Sequence, residues 1–174
     1  MTGLAAFVMR GRFQALLVTV LGAGSLLFCW ISAAVLALVT LRKGAGEGAW
    51  LLFWALLPAG TLVDVYGDSG PLALLLSVMV LALVLRSTVN LPLAVLACVR
   101  VGVVTGLVLV GFSGAYLEQI ATYFGEFLAG LVEQLSQGGQ QVALARPTSL
   151  QIAGMLGAGT AMSAVLCLLM ARYW

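Results

Sequence analysis

The hydrophobic positions of this chain fall into long uninterrupted blocks. They end at charged or turn-forming residues such as Arg42, Gly67 and Arg86. The blocks cover residues 13–41, 48–66, 72–85, 91–112 and 150–171. Runs of about 20 apolar residues match the length of helix that crosses a bilayer core. The sequence therefore predicts an all-α, polytopic transmembrane helix bundle, with residues 1–174 forming a single domain.

The first block, residues 13–41, is longer than one crossing needs. As a single helix it would be about 43 Å long, against a hydrocarbon core of about 30 Å. Glycines in Gly22-Ala23-Gly24-Ser25, near its middle, make a break in the backbone cheap. The block then forms a helical hairpin. The first leg of that hairpin is short, and it crosses fully only if part of residues 3–9 extends it.

Basic residues favour the hairpin over a single tilted helix, because arginine and lysine in short loops stay in the cytoplasm. A hairpin puts six basic residues inside and only Arg146 outside, whereas a single crossing divides them four to three. We therefore predict about six membrane segments, with both termini in the cytoplasm. A shallow re-entrant hairpin would distribute the charges in the same way and stays open as an alternative.

The more polar stretch, residues 113–149, has a helical period. Apolar side chains recur every three or four residues over 116–137, while Glu118, Glu126 and Glu133 share the opposite face. This pattern predicts an amphipathic helix in an extracytoplasmic loop. Its polar face is acidic, which does not suit anionic lipid. We expect it to lie on the outer surface or to cap the bundle.

Composition agrees with lipid as the main solvent of the chain. Hydrophobic residues make up 63% and charged residues 8%, with a mean hydropathy of +1.15, whereas soluble domains carry about 25% charged residues. A net charge of +2, without a basic stripe, gives no basis for nucleic-acid binding. Histidine is absent, the three cysteines are isolated, and enzyme motifs are lacking. We therefore expect no enzyme, no metal and no cofactor.

Two places in the sequence are candidates for ligand binding. Arg100 is an ionisable residue inside a membrane block, which is a functional hypothesis by default. It either binds an anion or carboxylate, or it snorkels or pairs structurally. Asp64, Tyr66 and Asp68 cluster at an outer turn, which is either a solvated turn or the mouth of a pocket beneath the amphipathic helix. The candidate ligand-binding residues are Arg100, Asp64 and Tyr66.

Small residues recur at spacings that let helices approach closely. Such positions serve packing inside the bundle or docking of another subunit. The sequence leaves both uses open. The candidate positions are Ala33, Ala37, Gly102, Gly106 and Gly154.

The stretches AAFVMRGRFQALLV, WALLPA and LALVLRSTVNLPLAVLA resemble the YybS-like family of bacterial membrane proteins. The resemblance implies a bacterial inner membrane and a relationship to the S components of energy-coupling-factor transporters. Those six-helix proteins bind a small solute and join a coupling subunit and two ATPases. The resemblance also implies a contact with a coupling subunit for Ala33 and Ala37. Two functions stay open: a solute-binding transport component, or an accessory or scaffold subunit of a larger membrane complex.

Overall fold

The computed structural model describes residues 3–25, 28–112, 114–137 and 148–174. Every regular element in these ranges is a helix, which confirms the predicted all-α class. Arg146, the basic residue that the sequence assigns to the outer side, lies outside the described residues. The helices are α1 (Gly3–Arg10), α2 (Arg12–Ala23), α3 (Cys29–Lys43), α4 (Ala45–Tyr66), α5 (Gly70–Thr88), α6 (Leu91–Phe112), α7 (Gly114–Gln137) and α8 (Ser149–Tyr173).

Four helices in the described part of the chain, α4, α5, α6 and α8, are long and apolar enough to cross a membrane. Each one comes from one predicted apolar block. This is the architecture of a multi-pass membrane protein. With 12 and 15 residues, α2 and α3 are shorter, so the prediction of six membrane segments rests on them.

The first apolar block is divided near its glycines. Helix α2 ends at Ala23, and α3 begins at Cys29. The Ser32 hydroxyl of α3 donates to the Thr19 carbonyl of α2 at 2.8 Å. A Cβ added to Gly22 would lie 3.0 Å from the Ser32 Cβ. A glycine at this point therefore lets α2 and α3 come into close contact.

Helix α3 is the central helix of the bundle. Nine consecutive residues in it, 32–40, are buried, and it contacts α2, α4, α5 and α8. Ala33 and Ala37 are both 0% exposed, so they pack inside the bundle. Their small side chains allow four neighbouring helices to approach the same short helix.

Helix α3 also follows α5 over nearly its whole length. Near one end, the Cys29 sulfur lies 4.0 Å from the Pro71 carbonyl oxygen. Near the other end, the Arg86 guanidinium donates to the carbonyls of Thr40 and Leu41 at 2.9 and 3.0 Å. These carbonyls belong to the last turn of α3 and have no intrahelical donor. Arg86 therefore caps the end of α3.

The two ends of the bundle differ in charge. Arg12, at the start of α2, pairs with Glu47 in the first turn of α4. Helices α3, α5 and α8 end nearby, and Arg42, Arg86 and Arg172 line a common hollow of about 350 Å³. We call this the basic end. We call the opposite end, where the turn containing Asp68 joins α4 to α5, the acidic end.

The closest crossing of the bundle joins α6 and α8. A Cβ added to Gly157 would lie 2.6 Å from the Gly102 carbonyl oxygen and 3.2 Å from the Gly106 nitrogen. Gly102 and Gly106 are buried and therefore pack inside the bundle. Gly154 is exposed, and a Cβ added to it would meet nothing within 4 Å.

Helix α7 covers the residues of the predicted amphipathic helix. In its first half, the buried Leu117 packs with Leu109 of α6 and Ile152 of α8. Near its middle, Phe124 and Phe127 are 44% and 61% exposed. Helix α7 is therefore attached to the bundle around Leu117.

Candidate ligand cavity at the acidic end

A cavity of about 370 Å³ lies between α3, α5 and α8. Its volume falls in the range of about 300–1,000 Å³ that is usual for small-molecule sites. Trp30, Leu74 and Leu156 form apolar walls, and Thr160 and Ser163 add hydroxyl groups farther along α8. The Asp68 carboxylate is the one charged group among the described lining residues. The cavity thus combines an apolar surface with a single negative charge.

Asp68 is held in place by the short turn between α4 and α5. Helix α4 is followed by Gly67, whose φ of +70° suits glycine. The Asp68 Oδ1 atom accepts a hydrogen bond from the Gly70 N–H at 2.8 Å and another from the Tyr116 hydroxyl at 3.3 Å. Among the described residues, both hydrogen bonds go to Oδ1. The second oxygen, Oδ2, is therefore available to a ligand.

Tyr116 connects α7 to this turn. In addition to its hydrogen bond with Asp68, its ring lies near Gly67, where an added Cβ would be 3.7 Å from the ring Cδ2. Burial raises the pKa of the Tyr116 phenol, and the charge of Asp68 and the hydrogen bond to it raise that pKa further. The phenol therefore stays neutral and donates at physiological pH. It fixes the start of α7 beside the cavity.

A second polar group at the same turn lacks a partner. The Ser69 hydroxyl oxygen is buried and has no hydrogen bond within the described ranges. Buried hydroxyl groups normally find a donor or acceptor, in the protein or in ordered water. The turn that positions Asp68 therefore carries unused hydrogen-bonding capacity.

The residues predicted from the sequence lie apart from one another. Asp64 is exposed on α4 and Arg100 is exposed on α6, and neither lines the cavity. Tyr66 is the last residue of α4, and its side chain lies outside what the structure describes. The cavity borders the turn that the sequence singled out, and the carboxylate among its lining residues is Asp68. Asp64 lies four residues earlier in the chain, within α4.

Sequence analysis missed the cavity residues contributed by α3 and α8. Trp30 and Met155 line the cavity, but both come from apolar blocks without a distinguishing pattern. They meet because α3 and α8 pack together, as the 3.4 Å contact from the Cys167 sulfur to the Trp30 carbonyl oxygen shows. Thr160 and Ser163, two hydroxyl residues in an otherwise apolar block, were the signal available in the sequence.

A larger hollow, about 540 Å³, follows the outer side of α6 and α8. Val95, Val99, Met162 and Leu166 are among its lining residues, none of which is charged. Its described lining residues offer no charged group that would orient a polar ligand, so lipid chains suit it. Among the described residues, no group of three or more His, Cys, Asp or Glu side chains lies together as a metal site.

Comparisons with protein-family models, with curated proteins and with solved structures give no match to this chain. The resemblance to the YybS-like family therefore stays a prediction from the sequence.

Proposed function

We propose that this chain is a six-segment membrane protein that binds a small solute at its acidic end, as the solute-binding component of a transporter. The observation that carries the proposal is the cavity between α3, α5 and α8, in which Asp68 is the one charged group among the described lining residues. The resemblance to solute-binding S components supports the same function.

The acidic end faces the outside in this proposal. Arginine and lysine in short loops are retained in the cytoplasm, and Arg42, Arg86 and Arg172 share the basic end. The turn containing Asp68 then lies on the extracytoplasmic side. A solute would reach the cavity from the outside of a bacterial inner membrane.

Two of the six segments are the legs of the predicted hairpin. Helix α2 forms one leg and α3 the other. Support comes from the contacts of α3 with α5, a helix long enough to cross. Cys29 lies near the first turn of α5, and Arg86 near its last turn binds the end of α3. Because α3 runs beside α5 between these two contacts, α3 covers nearly the same depth of the membrane as α5.

The cavity favours a solute with a positive charge or a strong donor on a compact apolar body. The free Oδ2 of Asp68 accepts from an ammonium or hydroxyl group, and hydrogen bonds involving a charged partner are the stronger kind. Trp30 offers an aromatic surface, on which a cation is also stabilised. An anionic solute would meet the Asp68 charge without a basic group to offset it among the described lining residues.

A test of this proposal uses three probes of similar shape and different charge: benzylamine, benzyl alcohol and benzoate. The full chain in lipid nanodiscs is titrated with each probe and followed by tryptophan fluorescence. We expect benzylamine to bind most tightly and benzoate least tightly. Asp68→Asn should abolish the preference for the cation, whereas Asp64→Asn, at an exposed carboxylate outside the cavity, should preserve it. Equal preferences in wild type and Asp68→Asn would refute the proposed site.

A second candidate function, an accessory subunit of a larger membrane complex, is favoured by one separate observation. Arg100 is exposed on the outward face of α6, inside a membrane segment. This observation does not depend on the cavity. It is compatible with both candidate functions, because a solute-binding component would also have partner subunits.

A further inference from the structure

Arg100 lies near the middle of a candidate membrane span. Helix α6 runs from Leu91 to Phe112, which places Arg100 about 13 Å from its start and about 18 Å from its end. The side chain is exposed. It makes no hydrogen bond or ion pair with the described residues. A charged group at this depth normally faces a partner or a water-filled cavity, because lipid solvates it poorly.

The surroundings of Arg100 on α6 are apolar and equally exposed. Leu96, Val103, Val104 and Leu107 lie one or two turns away on the same side, and each is between 58% and 65% exposed. The opposite side of α6 carries Ala94, Cys98 and Leu109, which are buried against the bundle. Arg100 therefore points away from the bundle and from the cavity at the acidic end.

A second copy of this chain in the same orientation cannot supply the missing negative charge. Of the six acidic residues, Glu47 lies at the basic end, paired with Arg12. Asp64 lies about 28 Å from the start of its helix, so it is roughly 15 Å closer to the acidic end than Arg100 by the same measure. The remaining acidic residues are Asp68, Glu118, Glu126 and Glu133, in the turn at the acidic end and in α7.

We propose that the outward face of α6 around Arg100 binds a transmembrane helix of a different protein. That helix carries an aspartate or glutamate at the depth of Arg100. The apolar side chains around Arg100 supply the packing surface, and the ion pair fixes the depth of the partner. Exclusion of water from such a contact strengthens the pair relative to one in solution.

The chemistry of the face is tested with a designed transmembrane peptide. A leucine–alanine helix of about 21 residues with one central glutamate is reconstituted with the full chain in nanodiscs, and association is measured by energy transfer. A matched peptide has leucine in place of the glutamate. We expect the glutamate peptide to bind wild type about tenfold more tightly. Arg100→Leu should remove this advantage, whereas Arg172→Leu, at the basic end, should retain it.

The natural partner is tested in membranes of the source organism with a photoreactive residue replacing Val104. The expected result is a crosslink to one membrane protein with an acidic residue in an apolar segment, lost in Arg100→Leu and kept in Arg100→Lys. The circular dichroism and melting temperature of Arg100→Leu establish that the variant is folded. Equal binding of the two peptides would overturn the proposal. So would crosslinks to lipid or to a second copy alone, or a partner without such a residue.

Discussion

The crossing of α6 and α8 makes a sharp prediction about one glycine. Replacing Gly157 by alanine adds a Cβ that would lie 2.6 Å from the Gly102 carbonyl oxygen and 3.2 Å from the Gly106 nitrogen. Both atoms belong to the backbone of α6, so no side chain can rotate away to make room. The two helices must separate, and the packing along their interface is lost.

The size of the effect follows from two opposing contributions. Overpacking of a well-packed contact costs about 1–3 kcal/mol. Alanine in a helix interior is better than glycine by roughly 0.5–1 kcal/mol. Gly154→Ala gains the helix preference of alanine without the cost of overpacking, because nothing lies within 4 Å of its added Cβ. The difference in unfolding free energy between the two variants therefore isolates the steric cost, at about 1–3 kcal/mol.

The assay is reversible denaturation in mixed micelles, followed by tryptophan fluorescence. Wild type, Gly157→Ala and Gly154→Ala are measured under identical conditions, with Gly159→Ala as a second open position. We expect Gly157→Ala to be the least stable and the two controls to match or exceed wild type. If Gly157→Ala were as stable as Gly154→Ala, the close crossing of α6 and α8 would be refuted.

Three further changes test the ends of the bundle. Arg86→Met keeps the apolar stem but removes the hydrogen bonds to Thr40 and Leu41. We expect this variant to lose about 1–3 kcal/mol of unfolding free energy. The control Arg10→Met, at an exposed site, should have little effect. Tyr116→Phe should loosen α7, seen as faster hydrogen exchange in its first half. In wild type the pKa of the Tyr116 phenol should lie above the usual tyrosine value of about 10. Asp68→Asn should lower that pKa. Because the folded pKa is raised, its contribution to stability is present below about pH 10 and is lost as the pH rises through the folded pKa. Unchanged titration in Asp68→Asn would contradict the contact.

The membrane helices were predictable because long apolar blocks satisfy their backbone hydrogen bonds internally. The predicted block 91–112 and helix α6 coincide, and α4, α5 and α8 extend their blocks by a few residues at one or both ends. The break in the first block was also predictable, because glycine makes such a break cheap. Local sequence is enough for these features, since they do not depend on contacts between distant segments.

The cavity and the orientation of Arg100 were not predictable in the same way. Apart from Arg100, helix α6 is apolar on all sides. Its small residues Gly102 and Gly106 suit either packing inside the bundle or docking of another subunit, so the sequence did not decide which face meets the bundle. Trp30 and Thr160 line one cavity only because α3 and α8 pack at a particular depth. These features depend on how helices pack against one another, which a single sequence does not reveal.

The most direct test of the account is the side of the membrane on which each end of the bundle lies. In a cysteine-free chain, single cysteines at positions 11, 45 and 64 are treated with an impermeant maleimide, in intact and in permeabilised cells. We predict that position 64 reacts in intact cells, whereas positions 11 and 45 react only after permeabilisation. Reaction of position 11 from the outside would show that the first apolar block crosses only once. It would contradict the six-segment arrangement, and with it the assignment of both chain termini to the cytoplasm.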